Sequence, residues 1–199
     1  MPVLIKPDFL SLDSCDELIR GFQRLGSAPP RCSECSGSLR QQPNRTEIAA
    51  GLFKRGRMND VLKRLSDIRA AALDEVEAFF DATALAVEFT LLTEMRAGDA
   101  HPRHADNERQ SDNGQWVPNH TPWRAYAAMV YLNTSGADYE GGVLRFPARG
   151  EEVFPRAGEL VCFPCGHEYE HEVTPIQSGC RYSISIWLTQ DRGRAERWA

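Results

Sequence analysis

The chain has 199 residues, 42% of them hydrophobic and 26% charged, and a net charge of -5. That length suits one domain, with enough apolar content for an ordinary core. The acidic balance leaves no basic excess to grip nucleic-acid phosphates, and no apolar run approaches the roughly 20 residues that a membrane span needs.

The opening Met1-Pro2-Val3-Leu4-Ile5-Lys6-Pro7 lacks the charged, apolar and small-residue order of a signal peptide. The expectation is a cytoplasmic protein with neither a nucleic-acid nor a membrane partner, its oligomeric state open. Six cysteines are too sparse for a disulfide scaffold. Cys32-x-x-Cys35 and Cys162-x-x-Cys165 have zinc-site spacing, but the long gap between the pairs weakens that reading. Cys162, within Leu160-Val161-Cys162-Phe163, reads as a small packed hydrophobe.

In chain order, Val3-Leu4-Ile5 reads as a short strand. Ser14-Cys15-Asp16-Glu17 has the form of a capping box, and Leu18, Ile19, Phe22 and Leu25 follow at helical spacing until Gly26 and Pro29-Pro30. Residues 26–58, rich in Ser, Gly, Pro and Arg, read as a long loop suited to a lid. Asn59 is the predicted N-cap of a second helix. Its apolar stripe is Val61, Leu62, Leu65, Ile68, Ala72, Leu73, Val76, Phe79 and Phe80.

After about residue 85 the texture changes. Segments 86–96, 124–133, 143–146, 151–154, 159–163, 170–174 and 180–189 are rich in β-branched and aromatic residues and divided by Gly-containing turns. Ile184, Ile186 and Leu188 alternate with Ser183, Ser185 and Trp187, a period of two. The prediction is an α+β chain, mainly β, with a jelly-roll core and supporting N-terminal helices. It forms one domain over 1–199: helical support and lid loop over 1–85, the β core over 86–190, and a tail over 191–199.

The chemistry concentrates in His104-Ala105-Asp106, His171 and Arg181. Two imidazoles and one carboxylate hold non-haem Fe(II) on one face and leave other positions open. Residues two apart on an extended strand share a face, so His104 and Asp106 can approach one ion. His167, four residues before His171, is a rival: on a helix the two would form a zinc pair. Pro164 and Gly166 argue against a helix there. His101 and His120 read as loop residues on a solvated rim. On a strand Arg181, Ser183 and Ser185 face one way. Buried Arg needs a partner, which is either a ligand carboxylate or a structural Asp or Glu.

At these residues the chain resembles the Fe(II)/2-oxoglutarate-dependent oxygenases, in particular the prolyl hydroxylase branch and the catalytic domain of collagen prolyl 3-hydroxylases, the leprecans. The likeness covers roughly residues 86–190 and, more loosely, Leu4 to Ile19. It is carried by His101-Pro102-Arg103-His104-Ala105-Asp106-Asn107, Tyr126-Ala127-Ala128-Met129-Val130-Tyr131-Leu132-Asn133, Gly141-Gly142-Val143-Leu144-Arg145-Phe146 and Trp187-Leu188-Thr189. The resemblance implies a double-stranded β-helix with His104, Asp106 and His171 as iron ligands. It implies Arg181 and Tyr131 on the distal carboxylate of 2-oxoglutarate, with Ser183 or Ser185 adding a hydroxyl. Met129, Leu144, Val173 and Trp187 would wall the cosubstrate pocket, a role compatible with ordinary core packing. The implied reaction hydroxylates an unactivated C–H using O2, with succinate and CO2 as co-products and ascorbate as a candidate reductant.

The chain departs from the family at Met95, where many prolyl hydroxylases carry a Tyr. It also lacks the extra domains of the animal collagen enzymes, so the expected substrate is a prolyl residue in a peptide or protein, a free amino acid or another small metabolite, and not procollagen. The 26–58 segment and the 107–123 insert are the expected lid pieces. Arg40, Arg45, Arg55, Arg57, Arg103, Arg109 and Arg124 cluster near them, to hold an acidic substrate or to form a solvated surface. Trp116 and Trp123 either stack on substrate or cover the barrel mouth. Two alternatives stand beside the oxygenase: an inactive β-barrel that binds or senses, and a zinc hydrolase using His167 and His171.

Overall fold

The structure, a computed structural model, describes residues 1–27, 39–55 and 58–196. Cys32, Cys35 and Arg57 lie outside the described residues, as do the side chains of Arg40 and Arg55. In chain order the elements are β1 (Leu4–Lys6), α1 (Leu12–Ser27), β2 (Leu39–Gln42), β3 (Arg45–Ala49), α2 (Leu52–Arg55), α3 (Asn59–Phe80), β4 (Ala86–Arg96), β5 (His101–His104), β6 (Glu108–Gln110), β7 (Trp116–Pro118), β8 (Arg124–Tyr131), β9 (Tyr139–Gly141), β10 (Leu144–Phe146), β11 (Glu151–Val153), β12 (Leu160–Pro164), β13 (His171–Val173) and β14 (Ile176–Thr189).

Two sheets face each other. The larger runs β1-β12-β8-β14-β4-β3-β2, with β9 also paired to β14, and the smaller runs β11-β10-β13-β5. Every pairing between these strands is antiparallel. This is the mainly β, double-stranded β-helix core that the sequence implies.

The period of two decides what each face does. Ala128, Val130, Leu160, Cys162, Ile184, Ile186 and Leu188 pack outward against α1 and α3 in one core. Their neighbours Ala127, Tyr131, Val161 and Phe163 turn inward, toward Leu144, Phe146, Val153 and Val173 of the smaller sheet. α3 covers the outer face with Val61, Leu65, Ile68, Ala72, Val76 and Phe80 buried, each large side chain contributing about 1.5–3 kcal/mol. Phe79, the eighth member of the predicted stripe, is 43% exposed.

The structure corrects three local expectations. Helix α1 is capped by Ser11, whose Oγ accepts the Ser14 N–H at 3.3 Å, so the helix starts two residues before the Ser14 box. Asn59 lies inside α3, whose cap residue Met58 makes no side-chain capping bond. The segment read as a lid loop contributes β2, β3 and α2, with β3 paired to β4 from Arg45↔Met95 to Ala49↔Leu91. Cys162 is a buried free thiol, as are Cys15 and Cys165. No described helix is long and apolar enough to cross a membrane.

Candidate functional site

The site lies between the two sheets. β5 and β13 pair with His171 opposite His104, which places the two rings 4.4 Å apart. Asp106 follows β5 by two residues and is held by its backbone, its N–H donating to the Cys165 carbonyl at 3.1 Å. One ligand atom from each of His104, Asp106 and His171 lies within 4.8 Å of the others. Among the described residues this is the one group that could hold a metal ion.

Both imidazoles are set for ligation. His104 Nδ1 is 2.9 Å from the Pro102 carbonyl and His171 Nδ1 is 3.0 Å from the Tyr169 carbonyl. A carbonyl only accepts, so each Nδ1 carries a proton and each Nε2 is the atom left to face an ion. Burial pushes His171 down to about 4, partly opposed by the Asp106 charge, so its ring is neutral at neutral pH. Two imidazoles and a carboxylate, without thiolate, suit a ferrous ion with open positions and not a closed structural zinc site.

Arg181 lies on β14 at 2% exposure. Its Nη1 donates to Ser183 Oγ and Met95 Sδ, both at 3.3 Å. Its Nε and Nη2 are buried with no partner, as are the hydroxyls of Tyr131 and Tyr139. The guanidinium carbon is 5.0 Å from the centre of the Tyr131 ring. Burial pushes both phenols up and the Arg181 charge partly offsets this. No described carboxylate pairs with Arg181. Two unpaired N–H donors beside two unpaired hydroxyls form a cradle that a ligand carboxylate satisfies.

Ser185, Met129, Leu144, Val173 and Trp187 line the same cavity as the triad and Arg181. Tyr131 sits behind Arg181 in the core. The triad also opens on its other side into an outer groove lined by Ala49, Phe89, Leu91, Arg109, His120 and Trp187. A separate charged cleft between α1 and α3, lined by Arg20, Arg24 and Arg64, is on the far side of the large sheet.

Several sequence expectations change here. His167 does not join His171: its Nδ1 and N–H contact Glu108 Oε2 at 2.7 and 2.8 Å, and its ring stacks on Trp116 at 5.1 Å. The proposed zinc pair therefore does not form. His101 is not a rim residue. It opens β5, its Nδ1 is 3.2 Å from His104 Nδ1, and burial followed by the His104 charge pushes it down to about 3. His120 is exposed at the groove. Trp123 packs under Arg194, 3.8 Å from its guanidinium, away from the mouth.

The loop arginines are mostly committed. Arg45 binds Asp99 through two bonds of 2.7 and 2.9 Å and caps the Ala100 carbonyl, fixing the turn that leads into β5. Arg103 pairs with Glu170 and Arg124 with Glu88 at 3.0 Å. Sequence reasoning missed Tyr139, Phe163 and Cys165. Phe163 alone had a signal, its inward parity on β12.

The sequence profile described as the 2OG-Fe(II) oxygenase superfamily matches residues 90–189. The chain is 36% identical to mouse prolyl 3-hydroxylase 3 over 104 residues, 48% of this chain and 14% of that protein. It is 32% identical to a PKHD-type hydroxylase of Phenylobacterium zucineum over 134 residues, 65% of this chain and 51% of that one. The chain thus spans at most about half the length of these two relatives. Among solved structures, a prolyl hydroxylase of Trichoplax adhaerens in complex with a hypoxia inducible factor oxygen degradation domain peptide fragment has a TM-score of 0.67. It is 18% identical, covering 96% of this chain and 85% of that one, a likeness of fold.

Proposed function

Because the chain belongs to the 2OG-Fe(II) oxygenase superfamily, we propose that it is a 2-oxoglutarate-dependent dioxygenase that hydroxylates an unactivated C–H bond. The observation that carries this reading is the convergence of His104, Asp106 and His171 next to the buried, carboxylate-free Arg181. The substrate is a prolyl residue of a peptide or protein, a free amino acid or another small metabolite. The open groove on the far side of the triad, and the peptide held by the Trichoplax relative, support a substrate that approaches from the surface.

His104 and His171 would bind iron through Nε2 and Asp106 through a carboxylate oxygen. When bound, iron and 2-oxoglutarate supply the oxidising power that places one oxygen atom of O2 on the substrate carbon, the other leaving in succinate together with CO2. Arg181 would grip the distal carboxylate, with Ser183 holding Nη1 in place and Tyr131 donating its hydroxyl. Met129, Leu144, Val173 and Phe163 keep water from the cavity. The side chains position and shield the reactants, and the chemistry requires no side-chain acid or base.

The test is succinate formation from 2-oxoglutarate with added Fe(II) and O2. His104→Ala and Asp106→Ala should each abolish it. Unchanged succinate in either variant rejects the assignment. A gain of one oxygen atom by one member of a panel of proline-containing peptides and amino acids identifies the substrate.

A further inference from the structure

Trp187 does more than wall the cavity. Its ring is fixed from two directions. Phe89, its partner on β4, stacks at 6.1 Å and 21° between planes. The Arg124 guanidinium carbon is 4.1 Å from the ring centre, and Arg124 is itself tied to Glu88. A ring held this way has one direction for its N–H, and that direction is Asp106: Nε1 donates to Oδ1 at 3.0 Å. The other oxygen, Oδ2, accepts from the Cys165 thiol at 3.9 Å. Cys165 is 1% exposed, and its carbonyl takes the Asp106 N–H.

A carboxylate with a donor on each oxygen cannot turn freely about its last torsion. Chelating an ion through both oxygens would require Oδ2 to leave the thiol and turn toward the ion. One oxygen suffices if the ion is also to accept a chelating keto acid and O2, because a facial set of three single-atom ligands leaves three octahedral positions. Oδ1 lies 3.9 Å from His104 Nε2, so the oxygen that Trp187 holds is the one nearest the shared ion position.

We propose that Trp187 is a positioning residue for Asp106, its indole N–H acting with the Cys165 thiol to present a single carboxylate oxygen to the ion shared with His104 and His171. The inference rests on the iron site proposed above. It concerns the hold on a metal ligand, so it is tested by metal binding and not by turnover.

The probe is Mn(II), titrated into the full chain and followed by the electron paramagnetic resonance of the free ion. Wild-type protein should bind one equivalent, and His104→Ala should bind far more weakly; equal binding by these two removes the iron-site reading itself. Trp187→Phe keeps the ring between Phe89 and Arg124 and drops only the donor. Its Mn(II) dissociation constant should rise about 10- to 100-fold, the usual effect of losing a group that orients a ligand. The Co(II)-loaded variant should show a changed d–d spectrum, since freeing the carboxylate changes the coordination geometry. Cys165→Ala should weaken Mn(II) by a smaller factor and serves alone if Trp187→Phe does not fold. A wild-type dissociation constant in Trp187→Phe, or in Cys165→Ala where the first variant does not fold, overturns this inference and leaves the iron site standing.

Discussion

Arg181 and Met95 meet across the pairing of β14 with β4, the guanidinium Nη1 3.3 Å from the thioether sulfur. A thioether is a weak acceptor, so a buried cation is matched there by almost nothing. Holding it inside the protein costs several kcal/mol, and a bound carboxylate would return part of that. Arg181→Met should therefore leave the ligand-free protein as stable as wild type or more so. It should weaken 2-oxoglutarate binding about 100-fold or more, the scale of losing one partner of a buried charged pair. Thermal denaturation with and without 2-oxoglutarate checks both. Wild type should gain melting temperature on adding the acid and the variant should not.

Gly142 lies against this cation in a left-handed conformation, φ +64. An added Cβ would come within 2.6 Å of Ile176 Cδ1, 2.9 Å of the Tyr139 ring and 3.0 Å of Arg181 Cδ. Gly142→Ala should cost about 1–3 kcal/mol through backbone strain and overpacking. It should also raise the KM for 2-oxoglutarate, because the displaced atom belongs to Arg181. Urea denaturation and succinate kinetics measure the two effects; stability loss with an unchanged KM would mean that the guanidinium stays in place.

Acidification should destabilise the chelator-treated protein across a defined window. Burial pushes His171 down to about 4 and His101 to about 3, from 6.5. Between pH 6.5 and 4 the unfolded chain binds more protons than the folded one, so stability rises with pH there and falls as the solution is acidified. His171 alone accounts for a loss on the order of 3 kcal/mol by pH 4. Urea midpoints from pH 7 to 4.5 should fall in this order, and His101→Gln with His171→Gln should flatten the profile. A flat wild-type profile contradicts the depressed values.

The β6–β7 hairpin is fastened to the barrel by Glu108 on His167 and by Trp116 stacked on the same ring. His167→Ala should free it. Both clasp residues are partly exposed, so the stability cost is about 1 kcal/mol at most. Backbone hydrogen exchange over residues 108–118 should nevertheless speed up while the β8 and β14 amides stay protected. Equal exchange in wild type and variant would assign the clasp no role in ordering the hairpin.

The parts of the fold legible in the sequence are those where one chemical property repeats. β14 announces itself through Ile184, Ile186 and Leu188 against Ser183 and Ser185, because its faces meet different cores. The triad is legible because His104 and Asp106 stand two apart on one extended segment, and the Arg181 segment with the family resemblance selects His171 over His167. β5 was hidden: as the edge strand of the smaller sheet it tolerates Pro102, and His101-Pro102-Arg103-His104 shows no alternation. β3 was hidden among polar residues. Arg45 is fixed by Asp99, 54 positions away in the chain, a relation no local pattern encodes. No local pattern singles out Tyr139; it is the pairing of β9 with β14 that brings it beside Arg181.

The alternation along β14 also divides the strand for anyone who would redesign it. Positions 181, 183 and 185 can be rewritten to change which acid is accepted, with little effect on how firmly the helices hold, whereas position 187 also holds Asp106. Positions 182, 184, 186 and 188 do the reverse. One residue inserted after Gly179 would exchange the two tracks, delivering the guanidinium to the helical layer and the Tyr182 ring to the chamber. Specificity changes in this strand should therefore come by replacement, never by a change of length.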